Sequence, residues 1–441
     1  MSLSKVAIDD LAVGMFVVDM DISWMKSPFF RHKRMIEKEH DIALLRKAGV
    51  TLVTIDVAKS RINRVKPAAP VQDAPTNAVQ VHSISPAEIE TEPLIPEDQS
   101  SPVASVSFDF DQVRSKATNG PRVMLKEEIK AAKQLQGEIL ARIDAINAAL
   151  ESGEPLSPRA VSPLVARTVL SIQNNNQAMM ALLHEGRGSG KIASHGFGVF
   201  ALLLMLGEAF EMSEHDLELL GLTALVHDAG WLRLPGNLFS KGRAYAPHEK
   251  KLVDQHISLA KSMLEKQSID SRVIKTVSEH HELLDGSGFP KGMMGDELDA
   301  FARLLAVCNE YDEMVHGLGE HPGMTPQTAL SDLYKQAQVG KLDQIVVAKL
   351  VSLLGVYPMG SAVTLNDSSI GLVVELHHTA PMSPTIRLLY DENRELLSRP
   401  KIVDLRDEKR LNVSRVLDVL HADKYLDPAR KLIFSSDLLC E

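Results

Sequence analysis

His227-Asp228-Ala229-Gly230-Trp231 is the stretch on which the fold and its chemistry turn. It closes an apolar run, Leu219-Leu220-Gly221-Leu222-Thr223-Ala224-Leu225-Val226, which predicts a buried helix. Neighbours on a helix point about 100° apart, so two successive metal-ligand side chains can reach one cavity from one turn. A lone His-Asp pair is more often a surface or capping feature; here its company matters. His195 lies upstream, at the opening of an apolar helical run over residues 197–210. His256 lies downstream in Asp254-Gln255-His256-Ile257, and His280-His281 end a helical run over 273–279. The turn-rich segment Asp285-Gly286-Ser287-Gly288-Phe289-Pro290 follows. Each imidazole sits on or beside a separate amphipathic helix, so a bundle can bring them to one axis. Imidazoles with a bridging carboxylate suit Fe, Mn, Zn or Co. Two divalent ions about 3.5–4 Å apart are the usual device for hydrolysing a phosphodiester.

The order His, His-Asp, His, His-His, then Asp-Gly-x-Gly-aromatic-Pro resembles the HD-GYP family. Flanking text carries the same likeness: Leu225-Val226-His227-Asp228-Ala229-Gly230, Leu234-Pro235, Lys241-Gly242, Glu279-His280-His281-Glu282, Pro290-Lys291-Gly292 and Ala302-Arg303-Leu304-Leu305-Ala306-Val307. The likeness covers residues 190–345. It implies the fold of the HD-superfamily metal phosphohydrolases and the activity of a cyclic di-GMP phosphodiesterase.

Resemblance and chemistry together imply two divalent metal ions, Fe, Mn or another transition metal. His195, His227 and Asp228 would hold the first ion, with Asp228 bridging to the second as the central catalytic carboxylate. His256, His280 and His281 would hold the second. Gly286, Gly288, Phe289 and Pro290 would line the nucleotide, the glycines letting the loop pass close to it. The family's final aspartate ligand falls at Asn309, a neutral and weaker donor. The lysine expected after the His-Asp-x-Gly is Trp231, which removes a cation able to meet a phosphate. The tyrosine of the name motif is Phe289, and the arginine three residues past the first histidine is Gly198. Leu318 and His321 stand near the places of a basic pair. The glutamate marking three-metal relatives falls at Lys191, so a third ion of that kind is not expected.

Residues 1–65 read as a small α+β domain: a strand-like run at Gly14-Met15-Phe16-Val17-Val18, helical spacing over 35–48, and the β-branched strand Val50-Thr51-Leu52-Val53-Thr54-Ile55-Asp56. It resembles the domain of unknown function often fused ahead of HD-GYP domains, through Leu11-Ala12-Val13-Gly14-Met15 and the Trp24, Pro28, Phe29 spacing. Residues 66–107 read as an extended acidic tether, broken by seven prolines from Pro67 to Pro102. A helix is predicted over 123–150, where Leu125, Ile129, Ala132, Ile139, Ile143, Ile146 and Leu150 form a heptad-like stripe. That stripe suits either the chain's own bundle or a homodimer. A helix over 165–183, the HD-GYP-like region, and a helical stretch over 326–354 with Thr325 as N-cap follow. Residues 358–405 change to short strands.

The expected architecture is therefore mainly α: an HD-type helical bundle over 120–355, a small N-terminal α+β domain, and a small β-containing C-terminal appendage over 356–441. A net charge of −10 over 441 residues argues against DNA as a partner. Two cysteines exclude a disulfide framework. No run is long enough to predict a membrane span, and no secretory h-region opens the sequence, so the expected location is cytoplasmic. The expected partner is cyclic di-GMP, with signalling proteins as further partners. The expected function is metal-dependent hydrolysis of cyclic di-GMP to the linear dinucleotide and/or GMP. The alternative is a degenerate member without turnover, acting as a cyclic di-GMP sensor or protein-interaction module.

Overall fold

The computed structural model describes residues 3–20, 34–36, 38–47, 50–57, 59–61, 123–184, 191–377, 380–408 and 410–417. The proline-rich tether at 66–107 and the Trp24, Pro28 and Phe29 positions lie outside them. Two compact units are present, Met1–Phe108 and Asp109–Glu441.

The first unit is an antiparallel sheet of β1 (Leu3–Ala7), β2 (Phe16–Met20), β3 (Arg34–Met35) and β4 (Leu52–Asp56), in the order β1-β4-β2-β3, with α1 (Glu39–Lys47). Val6 pairs with Val53 across β1 and β4, and Val6, Val17, Val53 and Ile55 form a core with Ile42 and Leu45. The helix predicted from residue 35 begins at Glu39 instead. Arg34 and Met35 are taken by ladder pairing with β2, and a residue committed to a strand cannot also open a helix.

In the second unit α2 (Leu125–Ser152) stops at Gly153, whose φ of 77° is the left-handed cap that glycine adopts without a Cβ penalty. The stripe Ile129, Ala132, Ile139, Ile143, Ile146 and Leu150 is buried. The helix packs on α3 (Ser162–Leu182) and α4 (Ile192–Ala209). The apolar seam that also suited a homodimer is thus covered by the chain's own bundle.

Helix α4 is the axis of the bundle. Every residue from His195 to Gly207 is buried. It is long and apolar enough to cross a bilayer, and apolar burial on all sides is equally the mark of a core helix. It packs against α5 (Glu214–Val226) and α9 (Ala300–His316), and α5 packs against α8 (Ser271–Val277). Ser213 caps α5 by accepting the Asp216 N–H. Between them lie α6 (Pro247–Val253) and α7 (Gln255–Leu264).

The helical stretch over 326–354 is made of two helices, α10 (Pro326–Gln338) and α11 (Gln344–Leu354). Gly340, at φ 81°, turns the chain between them. Thr325 caps α10 as expected, accepting the Thr328 N–H at 3.1 Å, with Pro326 in the first turn.

The appendage is an antiparallel sheet of β5 (Ala362–Leu365), β6 (Ile370–Glu375), β7 (Thr385–Tyr390), β8 (Leu396–Asp404) and β9 (Val413–Val416), in the order β8-β7-β6-β5-β9. Gln177 of α3 ties it to the bundle: its Nε2 donates to the Leu376 carbonyl at 3.1 Å and its Oε1 accepts the Leu376 N–H at 2.7 Å.

Candidate metal centre

Helix α5 ends at Val226, so His227 and Asp228 stand just beyond it rather than on it. A 3-10 turn, Ala229–Arg233, follows. A Cβ at Gly230 would lie 1.9 Å from the His256 carbonyl oxygen. Only glycine lets the turn press against α7, and that contact brings Asp228 beside His256.

Four donor atoms converge on the α4–α9 side. The Asn309 Oδ1 is 3.0 Å from His195 Nε2 and 3.2 Å from His227 Nε2. The two Nε2 atoms are 3.2 Å apart. Asp228 Oδ2 is 3.4 Å from His195 Nε2 and 3.6 Å from His227 Nε2. Ligands about 2.1 Å from one ion stand about 3.0–3.4 Å from each other in octahedral and tetrahedral shells, so this spacing is that of a coordination polyhedron. The other carboxylate oxygen, Asp228 Oδ1, faces the opposite way, 3.8 Å from His280 Nε2. His256, His280 and His281 each bring a ring nitrogen to within 4.8 Å of the others. Asp228 therefore joins two nitrogen clusters through its two oxygens.

The ring nitrogens are presented in the form a cation needs. Nδ1 of His227, His256 and His280 lies 2.8, 2.7 and 2.7 Å from the carbonyls of Ala224, Val253 and Val277. A carbonyl only accepts, so each Nδ1 carries the hydrogen and each Nε2 keeps its lone pair toward the cavity. His195 Nδ1 donates instead to Asp312 Oδ2 at 2.7 Å. Asp312 also meets His316 Nδ1 at 3.1 Å. Although buried, which alone would raise it, the Asp312 carboxyl is held down at about 2 by these two imidazoles. Among the described residues, both oxygens of Asp228 and the Nε2 atoms of His256 and His280 are buried without a hydrogen-bond partner. Orphaned buried polar atoms are rare. Acceptor-only orphans clustered in this way fit divalent cations.

Asn309, on α9, thus stands beside the first cluster. The Asp285–Pro290 loop lies beside the second. Phe289 stacks on His281 with ring centroids 4.8 Å apart and donates its N–H to the His281 carbonyl at 3.0 Å. Gly288 serves the loop's own packing: a Cβ there would lie 2.3 Å from the Leu283 nitrogen. Gly286 adopts φ 77°. Pro290 is exposed and leads into Lys291, whose N–H, like that of Met293, donates to the buried Glu282 carboxylate.

The departures acquire physical reasons. At Gly198 a Cβ would lie 2.0 Å from Asp312 Oδ1, so the carboxylate that orients His195 occupies the space of a side chain there. Trp231 stacks on His256 at 5.3 Å and packs with Leu238, Phe239, Val253 and Leu318. Leu318 is therefore a core residue, and His321 Nε2 lies 3.9 Å from Glu310, in a group with Glu313 that is separate from the two histidine clusters. Asp312, Glu282 and Glu313 escaped the sequence reading as site residues. Asp312 had a signal as the second aspartate of the family's Asp-x-x-Asp pattern, which reads Asn309-Glu310-Tyr311-Asp312 here; Glu313 had only its spacing of four from Asn309 along a helix.

Burial drives the imidazoles of His227, His256, His280 and His281 toward neutrality, His280 to about 3. For His195 burial works the same way, but the hydrogen bond and charge of Asp312 outweigh it and raise it to about 9. An unfolded histidine takes up its proton near 6.5. The lowered groups therefore stabilise the fold above that pH, and their contribution is lost as pH falls toward 3. His195 contributes with the opposite sign, fully below 6.5 and not above about 9. Four lowered groups against one raised predict that the metal-free protein melts at progressively lower temperature as pH drops from about 6.5 to about 3. Melts by circular dichroism across that window check this; a flat profile would contradict it.

Comparison with known proteins follows the same outline. Residues 159–346 match the HD domain, residues 3–161 the domain of unknown function DUF3391, and residues 362–423 a KOW domain associated with the HD domain. A cyclic di-GMP phosphodiesterase of Pseudomonas aeruginosa is 24% identical over 407 residues, 91% of this chain and 89% of its own. Cyclic di-GMP phosphodiesterase PdeB of Borreliella burgdorferi is 21% identical over 48% of this chain and 54% of its own. A solved structure of an HDG"Y"P protein from Bdellovibrio bacteriovorus, 17% identical, covers 80% of this chain and 99% of its own at a TM-score of 0.45. The histidine-aspartate cluster is assembled inside the matched HD domain and the Asp-Gly-x-Gly-aromatic-Pro loop is stacked beside it, so this chain carries an HD domain over residues 159–346, between a DUF3391 match and a KOW domain associated with the HD domain.

Proposed function

We propose that this chain is a metal-dependent phosphodiesterase that opens cyclic di-GMP to the linear dinucleotide, and onward to GMP, in the cytoplasm of a signalling cell. The observation that carries the reading is Asp228, whose two oxygens face two separate nitrogen clusters. The relatives named as cyclic di-GMP phosphodiesterases support the choice of substrate. His195, His227, Asp228 and Asn309 would hold one divalent ion, and Asp228 with His256, His280 and His281 the other. When bound, two such ions supply the positive charge that acidifies a water and polarises a phosphoryl oxygen.

The protein's own part is orientation and exclusion. Backbone carbonyls fix the tautomers of three histidines, and Asp312 fixes His195. Trp231 packs over the outer face of His256 and closes that side to water. Phe289 is half-buried, with His281 stacked on its ring and the Lys250 ammonium over it. Lys250 Nζ lies 4.5 Å from the Phe289 ring centre and 2.9 Å from Asp254, which puts a cation at the loop's edge to meet a phosphate in place of the missing lysine at 231.

A second reading, a binder of cyclic di-GMP without turnover, is favoured by the neutral Asn309 in the ligand ring. Incubation with cyclic di-GMP and Mn²⁺ separates the two. Release of the linear dinucleotide, abolished by a chelator and restored by Mn²⁺, is the expected result. Stoichiometric binding of intact cyclic di-GMP with no product would establish the second reading.

A further inference from the structure

We infer that Glu313 is the positioning residue that turns the Asn309 amide so that its oxygen, and not its nitrogen, faces the first metal locus. The inference rests on the metal-binding part of the reading above and goes beyond it. An amide has one acceptor end and one donor end, and only the oxygen can meet a cation. At Asn309 the two ends have different partners. Its Oδ1 stands 3.0 and 3.2 Å from Nε2 of His195 and His227. Its Nδ2 donates to Glu313 Oε1 at 3.0 Å, one turn along α9.

The opposite orientation has a local attraction of its own. The His227 Nε2 is a lone-pair acceptor, because the ring's hydrogen is committed to the Ala224 carbonyl at 2.8 Å. A flipped amide would donate its NH₂ group to that lone pair and close the locus to a cation. Glu313 decides the matter by offering the NH₂ group a fixed acceptor oxygen on the far side, one helical turn away. An aspartate at 309 would need no such partner, because its two oxygens are equivalent. The exchange of carboxylate for amide at 309 and the presence of Glu313 four residues later are thus one device. The carboxyl group has moved one helical turn outward, and it acts through Asn309.

A four-way comparison tests this, with Mn²⁺ titrated calorimetrically into the metal-free full-length chain and bound metal counted by mass spectrometry. The proteins are the native chain, Glu313→Ala, Asn309→Asp, and the double variant. Loss of an outer partner of a metal ligand typically weakens affinity about 10–100-fold. That loss is expected for Glu313→Ala at one of two Mn²⁺ sites, with the other unchanged. In the Asn309→Asp background the same substitution is expected to leave the affinity unchanged or to raise it. Glu313→Gln, which keeps an acceptor oxygen in nearly the same volume, is expected to stay within about twofold of the native chain, the spread of independent effects.

Equal losses in both backgrounds would mean that Glu313 acts through packing, and would overturn the inference. So would an unchanged first site in Glu313→Ala, or a loss in Glu313→Gln as large as in Glu313→Ala. Two Mn²⁺ ions on the native chain with any of those results leaves the metal-centre reading standing. A native chain that binds no Mn²⁺ overturns both.

Discussion

Asp228→Ala is expected to lose both metal ions, and phosphodiesterase activity with them, while the helices stay folded. The carboxylate is the one group shared by the two clusters: Oδ2 lies 3.4 and 3.6 Å from the nitrogens of His195 and His227, and Oδ1 lies 3.8 Å from His280. Paired ions contribute several kcal/mol of transition-state charge stabilisation, so their loss lowers the rate about a thousandfold or more. The effect on stability has two parts of opposite sign. In the metal-free protein both oxygens are buried without hydrogen-bond partners. Removing such a group relieves its desolvation penalty, about 1–3 kcal/mol for an unsatisfied polar group. The metal-free variant should therefore melt at or above the metal-free native protein. With Mn²⁺ present the order reverses, because only the native chain gains the stabilisation that a ligand bound to the folded state confers. Thermal melts with and without Mn²⁺, together with metal analysis, check both halves. Unchanged metal content in Asp228→Ala would remove the bridging role.

The second large effect concerns Trp231. From the sequence, a lysine at this position has two expected outcomes: a gain in turnover from a restored phosphate-binding cation, or a destabilised core if Trp231 fills the space left by Leu284. The structure argues for the second outcome. Trp231 is 8% exposed. It stacks on His256 at an interplanar angle of 26° and meets Phe239 edge-on at 5.1 Å. Truncating a buried tryptophan removes about 3–5 kcal/mol, and a lysine there adds a charge with no anion shown to receive it. Trp231→Lys should thus melt many degrees lower, hold the second metal less tightly because His256 loses its packing support, and turn over more slowly than the native enzyme. Melting temperature and rate at matched metal occupancy check this. A variant as stable as the native chain and faster than it would show that the side chain at 231 can reach the substrate.

Much of the architecture was written openly in the sequence. The ligand-bearing elements were legible because each histidine adjoins an apolar helical run, and the appendage strands because alternating β-branched segments are set off by turn residues. Other features depend on contacts far apart in the chain. That the turn after Asp228 presses against α7 depends on Gly230 meeting the His256 carbonyl, an approach no local pattern announces. The delayed start of α1 follows from the pairing of Arg34 and Met35 with β2. The heptad-like stripe on α2 reads alike for a bundle and a dimer; only the presence of α3 and α4 decides it. Glu313, four residues from Asn309, has the spacing of an ordinary solvated helix face. Its hydrogen bond to the amide becomes visible only when His195 and His227 stand on the other side. Trp231 read equally as a lost cation or a core filler, because the sequence does not show that Phe239 and Leu318 enclose it.

Anomalous diffraction from crystals of the Mn²⁺-loaded chain tests the central claim most directly. The account predicts two peaks about 3.5–4 Å apart on either side of the Asp228 carboxylate, one among His195, His227 and Asn309 and one among His256, His280 and His281. A single peak, two peaks that do not share Asp228, or no peak at these residues would contradict it.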